Sequence, residues 1–145
     1  MNAPHPTGLD RRIVGASVEH ESARLHVTGE ATYTDDLPEP RGTLHAAVGK
    51  SPLAHARIRS IDLAAVRAAT GVIDVVTAAD IPGVNDVGPI QHDDPILADG
   101  VVLFAGQPVF AVAATSANAA RAAARLARFD LEPLPAVLTI DEALA

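Results

Sequence analysis

The order of patterns along the chain predicts an α+β fold. The length of 145 residues is typical of one domain. Segments with strand periodicity come in runs that are interrupted by helical segments, in the order β-β-β-α-β, a long loop, and β-β-α-β. The glycine fingerprint of doubly wound nucleotide folds is missing. We therefore expect strands combined with two main helices.

The N-terminal part is predicted to be a flexible tail, residues 1–18, because prolines and a glycine break regular structure there. Order is expected to begin near His20. From residue 24 to residue 33, alternating apolar residues predict a strand, a turn at Gly29 and a second short extended piece.

The middle of the chain alternates strand and helix signals. Residues 44–48 are small and apolar, and residues 56–60 alternate between apolar and polar, as in a half-buried strand. Asp62 is a predicted N-cap for a short helix that ends at Gly71. A β-branched strand is expected at residues 72–76, and a single capped turn at residues 77–80.

The second half begins with a long loop, residues 82–100, which is rich in Gly, Pro, Asn and Asp. Loops of this length are often functional or interfacial, so this loop is a candidate contact for a partner. Two apolar strands joined by a tight turn are predicted at residues 101–104 and 109–114. Ser116 caps the clearest helix, residues 117–126, and a strand returns at residues 127–131.

The C-terminal residues carry a helix-start signal. Thr139 and Glu142 form a predicted capping box, in which a hydroxyl and a carboxylate satisfy the first backbone donors of a helix. Only three residues follow, so the chain is expected to be a fragment that stops as a new element begins. The expected organisation is a tail at 1–18, one domain at 19–136, and the start of a connection to a missing domain at 137–145.

Composition excludes several classes of function. The chain has no cysteine, so it can form neither disulfides nor an iron–sulfur cluster held by its own thiolates. The net charge is -7, and the ten Arg and one Lys are scattered, as on a solvated surface or a polar protein interface. A nucleic-acid face is not expected. Neither a secretory signal nor a membrane span is evident, and the default location is the cytoplasm.

No residue is assigned a catalytic, cofactor-binding or metal-binding role. The six histidines show no metal-binding spacing on a helix; His45 and His55 lie on or beside neighbouring strands and could meet across them, but structural roles are favoured. The carboxylate pair Asp35–Asp36 is interpreted as a turn cap rather than a cation site, and Asp93–Asp94 as solvated. Gln107 follows a turn glycine, and its amide could also point toward a cofactor or a neighbouring domain.

Five segments together resemble one enzyme family. After His20-Glu21-Ser22-Ala23, residues 27–38 read VTGEATYTDDLP, which is similar to the opening signature of the molybdenum-binding part of xanthine dehydrogenases and aldehyde oxidases. The other segments resemble later stretches of the same part, in the same order: SPLAHARI at 51–58, GVIDVVTAADIPG at 71–83, FAGQPV at 104–109 and LEPLPAV at 131–137. The last has Leu131 where the family usually has Tyr.

The resemblance implies an α/β hammerhead fold, which is a small mixed sheet with helices and precedes large molybdopterin-binding domains. In this family a molybdenum–pterin centre hydroxylates a purine, another heterocycle or an aldehyde with oxygen from water. Electrons then pass through iron–sulfur clusters to FAD, and on to NAD or oxygen. The catalytic glutamate and the pterin-binding loops belong to later domains, so no catalytic residue is carried over to this chain.

These implications lead to a functional expectation. The chain is expected to be the structural N-terminal domain of the molybdenum-binding subunit of a bacterial xanthine dehydrogenase, which acts in purine catabolism. Its 2Fe–2S clusters and FAD would lie on a partner subunit. The alternatives are the same domain of an aldehyde, nicotinate or isoquinoline oxidoreductase, and a stand-alone interaction module without catalytic activity.

Overall fold

The structure, a computed structural model, describes residues 14–15 and 17–145. Most of the predicted tail, residues 1–18, therefore lies outside the described residues. The chain divides into two compact units, and the boundary lies between Glu39 and Pro40.

The first unit contains one short helix, α1 (Ala23–Thr28), and a 3-10 turn at Thr34–Asp36. The prediction of a strand, turn and strand over residues 24–33 is wrong. Gly29, at a φ of 76°, closes the helix: its N–H lies 3.4 Å from the carbonyl of His26, and the N–H of Glu30 lies 2.9 Å from that of Leu25. The alternating apolar residues of this segment remain exposed, so they do not mark a half-buried strand.

The second unit holds six strands in two antiparallel sheets. The first sheet has the order β1-β5-β3 and the second the order β4-β2-β6. The strands are β1 (His45–Lys50), β2 (Ala56–Asp62), β3 (Val72–Thr77), β4 (Val101–Val102), β5 (Pro108–Ala114) and β6 (Arg128–Pro133). The helices are α2 (Ala64–Arg67), α3 (Ala117–Ala124) and α4 (Ile140–Leu144).

The α+β class is confirmed, but the strands form two antiparallel sheets instead of one small mixed sheet. A parallel pair needs a crossover of about a dozen residues or more. The connection from β2 to β3 comprises only residues 63–71, and β3 instead joins the other sheet beside β5. The strands β4 and β5, although joined by a tight turn as predicted, also belong to different sheets.

The core lies between the sheets and is centred on β5. Phe110 and Val112 of this strand are fully buried, together with Val66 of α2 and Val102 of β4. The helix α3 packs on the first sheet through its small residues Ala120 and Ala123. Because alanine lets the helix backbone approach closely, this part of the core depends on few bulky side chains.

Gly49 of β1 allows one close approach in this core. The ring of Phe110 occupies the space that a side chain at Gly49 would need, since an ideal Cβ there would lie 2.0 Å from Cε1 of that ring. The ring of Phe110 also contacts that of Phe129, with the ring centres 6.2 Å apart. Gly49 is therefore a packing requirement of the first sheet.

The predicted helix caps at both C-terminal helices are confirmed. The side chain of Ser116 accepts a hydrogen bond from the N–H of Ala119 and begins α3. At α4, the carboxylate of Glu142 accepts from the N–H of Thr139 at 3.0 Å, and the hydroxyl of Thr139 accepts from the N–H of Glu142 at 3.2 Å. The helix α3 ends at Ala124, two residues before its predicted end.

The long loop is confirmed over residues 82–100, and side-chain hydrogen bonds close it. The amide of Asn85 donates to the carbonyl of Leu97 at 2.7 Å and accepts from the N–H of Leu97 at 3.0 Å. Leu97 and Ala98 are buried and anchor the end of the loop to the core. The loop therefore has a defined course without regular secondary structure.

The capped turn after β3 leads to a pH prediction. The hydroxyl and the N–H of Thr77 both donate to the Asp80 carboxylate, at 2.7 and 2.8 Å, and these bonds hold the pKa of Asp80 below its ordinary value of 3.8. A lowered folded-state pKa stabilises the fold above pH 3.8, and this contribution is lost as the pH falls through the folded-state pKa. We expect an NMR titration of the Asp80 carboxyl carbon to have its midpoint below 3.8.

The Asp80→Asn variant is the control for that titration. It should remove the carboxyl signal and, at neutral pH, speed the hydrogen exchange of the Thr77 amide. A midpoint at or above the ordinary value would contradict the proposed capping bonds.

Candidate functional site

Three irregular segments of the second unit meet beside the second sheet. We call them together the platform: residues 51–55, residues 103–107 and residues 133–138. The N–H of Ser51 donates to the carbonyl of Gln107 at 3.0 Å, and the N–H of Gly106 donates back to the carbonyl of Ser51 at 2.9 Å. The N–H of Leu134 donates to the carbonyl of His55 at 3.0 Å. Backbone hydrogen bonds therefore join all three segments.

Two buried polar side chains hold the platform in place. Among the described residues, only Ser51 and Gln107 are polar side chains classed as buried. The carboxamide oxygen of Gln107 accepts from the N–H of Leu103 at 2.7 Å, and the hydroxyl of Ser51 donates to the carbonyl of Leu53 at 2.9 Å. Gln107 therefore points inward, onto its own turn, and its main contact is structural.

The predicted turn before β5 is confirmed. The N–H of Gln107 donates to the carbonyl of Phe104 at 3.2 Å, and Gly106 between them has a φ of 87°. A side chain at that φ is strained, which explains the glycine. The turn pushes the side chain of Phe104 outward.

The outer surface of the platform is apolar and open to solvent. A shallow cleft of about 450 Å³ runs between the 103–105 turn and the 135–138 segment. Phe104 is 52% exposed and Leu138 is 73% exposed, and Leu103 and Val137 are exposed beside them. Exposed apolar clusters of this kind mark surfaces that contact another protein or domain.

This apolar surface was not predicted from the sequence. Leu103 and Phe104 were predicted to belong to a strand over residues 101–104, whereas β4 ends at Val102. The available signal was the position of the adjacent pair directly before the Ala-Gly turn. Both residues lie beyond the end of β4, so neither side chain is part of the strand ladder.

His55 and His26 take structural positions. The Nδ1 atom of His55 lies in hydrogen-bond contact with the carbonyl of Pro135 and so ties two platform segments together. His45 lies on β1 of the first sheet, so it does not face His55 across a pair of strands, and that part of the prediction is wrong. In the first unit, the Nδ1 atom of His26 lies 2.9 Å from the hydroxyl of Tyr33.

The pair Asp35–Asp36 caps its own turn, whereas Asp93 and Asp94 are exposed in the long loop. The Asp36 carboxylate accepts from the N–H of Tyr33 at 2.9 Å, which is the turn cap that the sequence predicted. In the long loop, the carboxylate of Asp86 accepts from the N–H of Gly88 and contacts His92, and the bond from Gly88 is the main cause of its lowered pKa. Over the described ranges, no three His, Asp or Glu side chains lie close enough to hold a metal ion.

No helix in the part of the chain that the structure describes is both long and apolar enough to cross a membrane.

One family model matches most of the chain. Its description is aldehyde oxidase and xanthine dehydrogenase, a/b hammerhead domain, and it matches residues 28–135. Those residues include all three platform segments up to residue 135.

Curated relatives agree with this match. The chain is 46% identical over 131 residues to a xanthine dehydrogenase of Oryza sativa subsp. japonica and 41% identical over 136 residues to a nicotinate hydroxylase of Emericella nidulans. These alignments cover 90% and 92% of this chain but 10% of each relative. The chain therefore spans about a tenth of the length of the curated relatives it matches.

Solved structures show the same fold. The aldehyde oxidoreductase of Desulfovibrio desulfuricans ATCC 27774 superposes with a TM-score of 0.80 at 36% identity, covering 95% of this chain and 16% of that one. The quinoline 2-oxidoreductase of Pseudomonas putida 86 gives a TM-score of 0.75 at 38% identity, covering 90% of this chain and 18% of that one. The expected hammerhead fold is thereby confirmed.

Proposed function

Because the chain belongs to the aldehyde oxidase and xanthine dehydrogenase family, as its a/b hammerhead domain, we propose that it is the structural hammerhead domain of the molybdenum-binding subunit of a xanthine dehydrogenase. The complete enzyme would hydroxylate hypoxanthine and xanthine at a molybdopterin centre and pass electrons through iron–sulfur clusters and FAD to NAD. The role of this domain is to supply a contact surface for the catalytic domains.

The observation that carries this proposal is the exposed apolar platform. Phe104 and Leu138 project from segments that buried hydrogen bonds and backbone pairing hold in place. A rigid apolar surface of this kind is suited to burial against another domain, because little side-chain or loop entropy is lost on docking. The occupant that we assign to it is the molybdopterin-binding part of the same enzyme, since the relatives are about ten times as long as this chain.

The residues of the chain do not fit the family's redox groups. Without cysteine, the chain offers no thiolate to an iron–sulfur cluster. The platform cleft has an apolar lining in which His55 is the sole titratable side chain, so it does not fit a phosphorylated pterin. We therefore place the molybdopterin on the other domains of the subunit, and the 2Fe–2S clusters and FAD on a partner subunit.

A second substrate class is supported by a specific observation. Besides three xanthine dehydrogenases of plants, the relatives include a nicotinate hydroxylase at 41% identity and an aldehyde oxidase of Rattus norvegicus at 42%. The alternative is therefore a hydroxylase for another heterocycle or an aldehyde. Assays of the complete enzyme with xanthine, nicotinate and an aromatic aldehyde separate these proposals, and turnover of nicotinate but not xanthine would reject the first.

The docking role is tested with Phe104→Glu in the complete enzyme. The substitution places an unpaired carboxylate at the centre of the contact, where its burial is unfavourable. The contact should therefore weaken, as expected for loss of a hot-spot side chain, and limited proteolysis near residue 139 should become roughly tenfold faster. Molybdenum content and substrate turnover should fall in parallel.

The matched control is Val84→Glu, which places the same charge at an exposed apolar position of the long loop. Both substitutions should leave the thermal melting of the 145-residue chain within a few degrees of the original, because both side chains are exposed. If Phe104→Glu changes neither the rate of proteolysis nor the turnover of substrate, the platform is not the docking surface.

A further inference from the structure

A second cleft, which we call the basic cleft, lies between β1 and α3 and has a volume of about 580 Å³. It is lined by residues 47–50 of β1, by Arg121 and Ala124 of α3 with the C-cap residue Arg125, and by Ala127 and Phe129. Its floor is thus made of small apolar residues and one aromatic ring, and its rim carries positive charge. None of these residues belongs to the platform.

The charge of the basic cleft is unbalanced. Lys50, Arg121 and Arg125 line it and no acidic side chain does. In the described ranges, Arg57, Arg59 and Arg67 form ion pairs, whereas no ion pair is found for any of the three cations of the cleft. Three cations without acidic neighbours form a positive spot on a chain whose net charge is -7.

The two arginines also act against their own helix. Arg121 and Arg125 are four residues apart, so their charges lie on the same side of the helix, and α3 contains no acidic residue to offset them. Such a like-charge pair is unfavourable for an isolated helix. An anionic group bound in the cleft would attract both arginines and offset their mutual repulsion.

The basic cleft runs along the outer edge of β1 at residues 47–50. The order β1-β5-β3 leaves β1 paired only with β5 in the part of the chain that the structure describes. Neighbouring side chains of a strand point to opposite faces, so a cleft lined by four consecutive residues must follow the edge between those faces. An edge strand offers its outward N–H and C=O groups to another extended chain.

We propose that the basic cleft binds an extended acidic peptide segment, which adds to the outer edge of β1 at residues 47–50 as a further strand. Its carboxylates would meet Arg121, Arg125 and Lys50, and its apolar side chains would cover Val48 and Phe129. The spacing agrees: alternate residues of an extended chain lie about 6.6 Å apart, and residues four apart on a helix are separated by about 6 Å along its axis. A lysine on an edge strand can serve to protect that edge from pairing with another chain. The two arginines do not belong to the strand, because they lie in α3 and at its C-cap.

The source that we assign to the segment is the molybdopterin-binding part of the same enzyme, since the relatives are about ten times as long as this chain, and this assignment rests on the proposed function. The binding itself is tested on the 145-residue chain and does not depend on it. Failure of peptide binding would therefore leave the platform proposal standing, and failure of the platform test would leave this one standing.

The probe is the acetylated and amidated peptide Glu-Val-Glu-Val-Glu with a fluorescent label, followed by anisotropy and by amide shifts of the ¹⁵N-labelled chain. We expect binding that weakens with added salt, shifts at the amides of residues 46–50, and at least about tenfold weaker affinity in the double variant Arg121→Gln/Arg125→Gln. The control is Arg57→Gln/Arg59→Gln on β2, which removes the same charge outside the cleft.

Three further ligands decide between the alternatives. The peptide Lys-Val-Lys-Val-Lys should not bind. The peptide Glu-Pro-Glu-Pro-Glu, which lacks alternate N–H donors, should bind at least about tenfold more weakly if a strand is added. Equal affinity of the proline peptide, equal weakening in the control variant, or the same amide shifts with inorganic phosphate would each overturn the proposal of an added strand.

Discussion

Replacing Gly49 by alanine is expected to destabilise the chain by about 3 kcal/mol, as measured by urea unfolding. The added methyl group would lie 2.0 Å from Cε1 and 2.1 Å from Cζ of Phe110. That ring is fully buried and contacts Phe129, so it can move only by displacing the core. The single methyl group therefore costs more than a typical overpacking substitution.

Gly83→Ala is the matched control for this substitution. Nothing lies within 4 Å of an ideal Cβ at Gly83, and its φ is not in the left-handed region. Its free energy of unfolding should change by no more than about 0.5 kcal/mol. Adding Phe110→Leu to Gly49→Ala should cost less than the sum of the two single substitutions, because they share one space. Equal stability of Gly49→Ala and Gly83→Ala would contradict the packing described here.

Gln107→Leu is expected to lower the free energy of unfolding by about 2 kcal/mol. The carboxamide oxygen of Gln107 accepts from the N–H of Leu103, and Gln107 is only 2% exposed. Leucine has nearly the same size but no acceptor, so the N–H of Leu103 loses its partner in a part-buried hydrogen bond. The turn that carries Phe104 should loosen at the same time.

Hydrogen exchange distinguishes this effect from a general loss of stability. The amide of Leu103 should exchange faster in Gln107→Leu than the drop in global stability alone explains. The control is Gln91→Leu, because Gln91 is exposed in the long loop and its substitution should change stability by less than about 0.5 kcal/mol. An unchanged exchange rate at Leu103 would refute the role given to Gln107.

Predictions from local signals were correct where the interactions are local. The caps of α3 and α4 and the turn at residues 77–80 each depend on side chains within a few residues, and all three are present. The strands at β1, β2, β3 and β5 were also placed to within about two residues. These elements have either a cap or a periodic burial pattern that a single segment reveals.

Prediction was wrong where the outcome depends on a partner that is distant in sequence. The alternation of Leu25 and Val27 predicts a strand only if a neighbouring strand is available, and the segment instead closes into α1 with Gly29 as its end. His45 lies on β1 of the first sheet, whereas His55 directly precedes β2 of the second sheet. The shift of pairing register between Ile58 and Ser60 has a similar origin, since it brings Ile61 rather than Ser60 toward the core.

The sequence alone determined the α+β class, the family and the capped turns, because these follow from local hydrogen-bonding chemistry and from ordered motifs. The absence of cysteine likewise excluded a cluster ligated by this chain. Tertiary structure alone decided the two-sheet arrangement, the outward position of Phe104 and the gathering of Lys50, Arg121 and Arg125. The physical reason is that the exposure of an apolar side chain and the field at a charge depend on which distant strands and helices pack beside it.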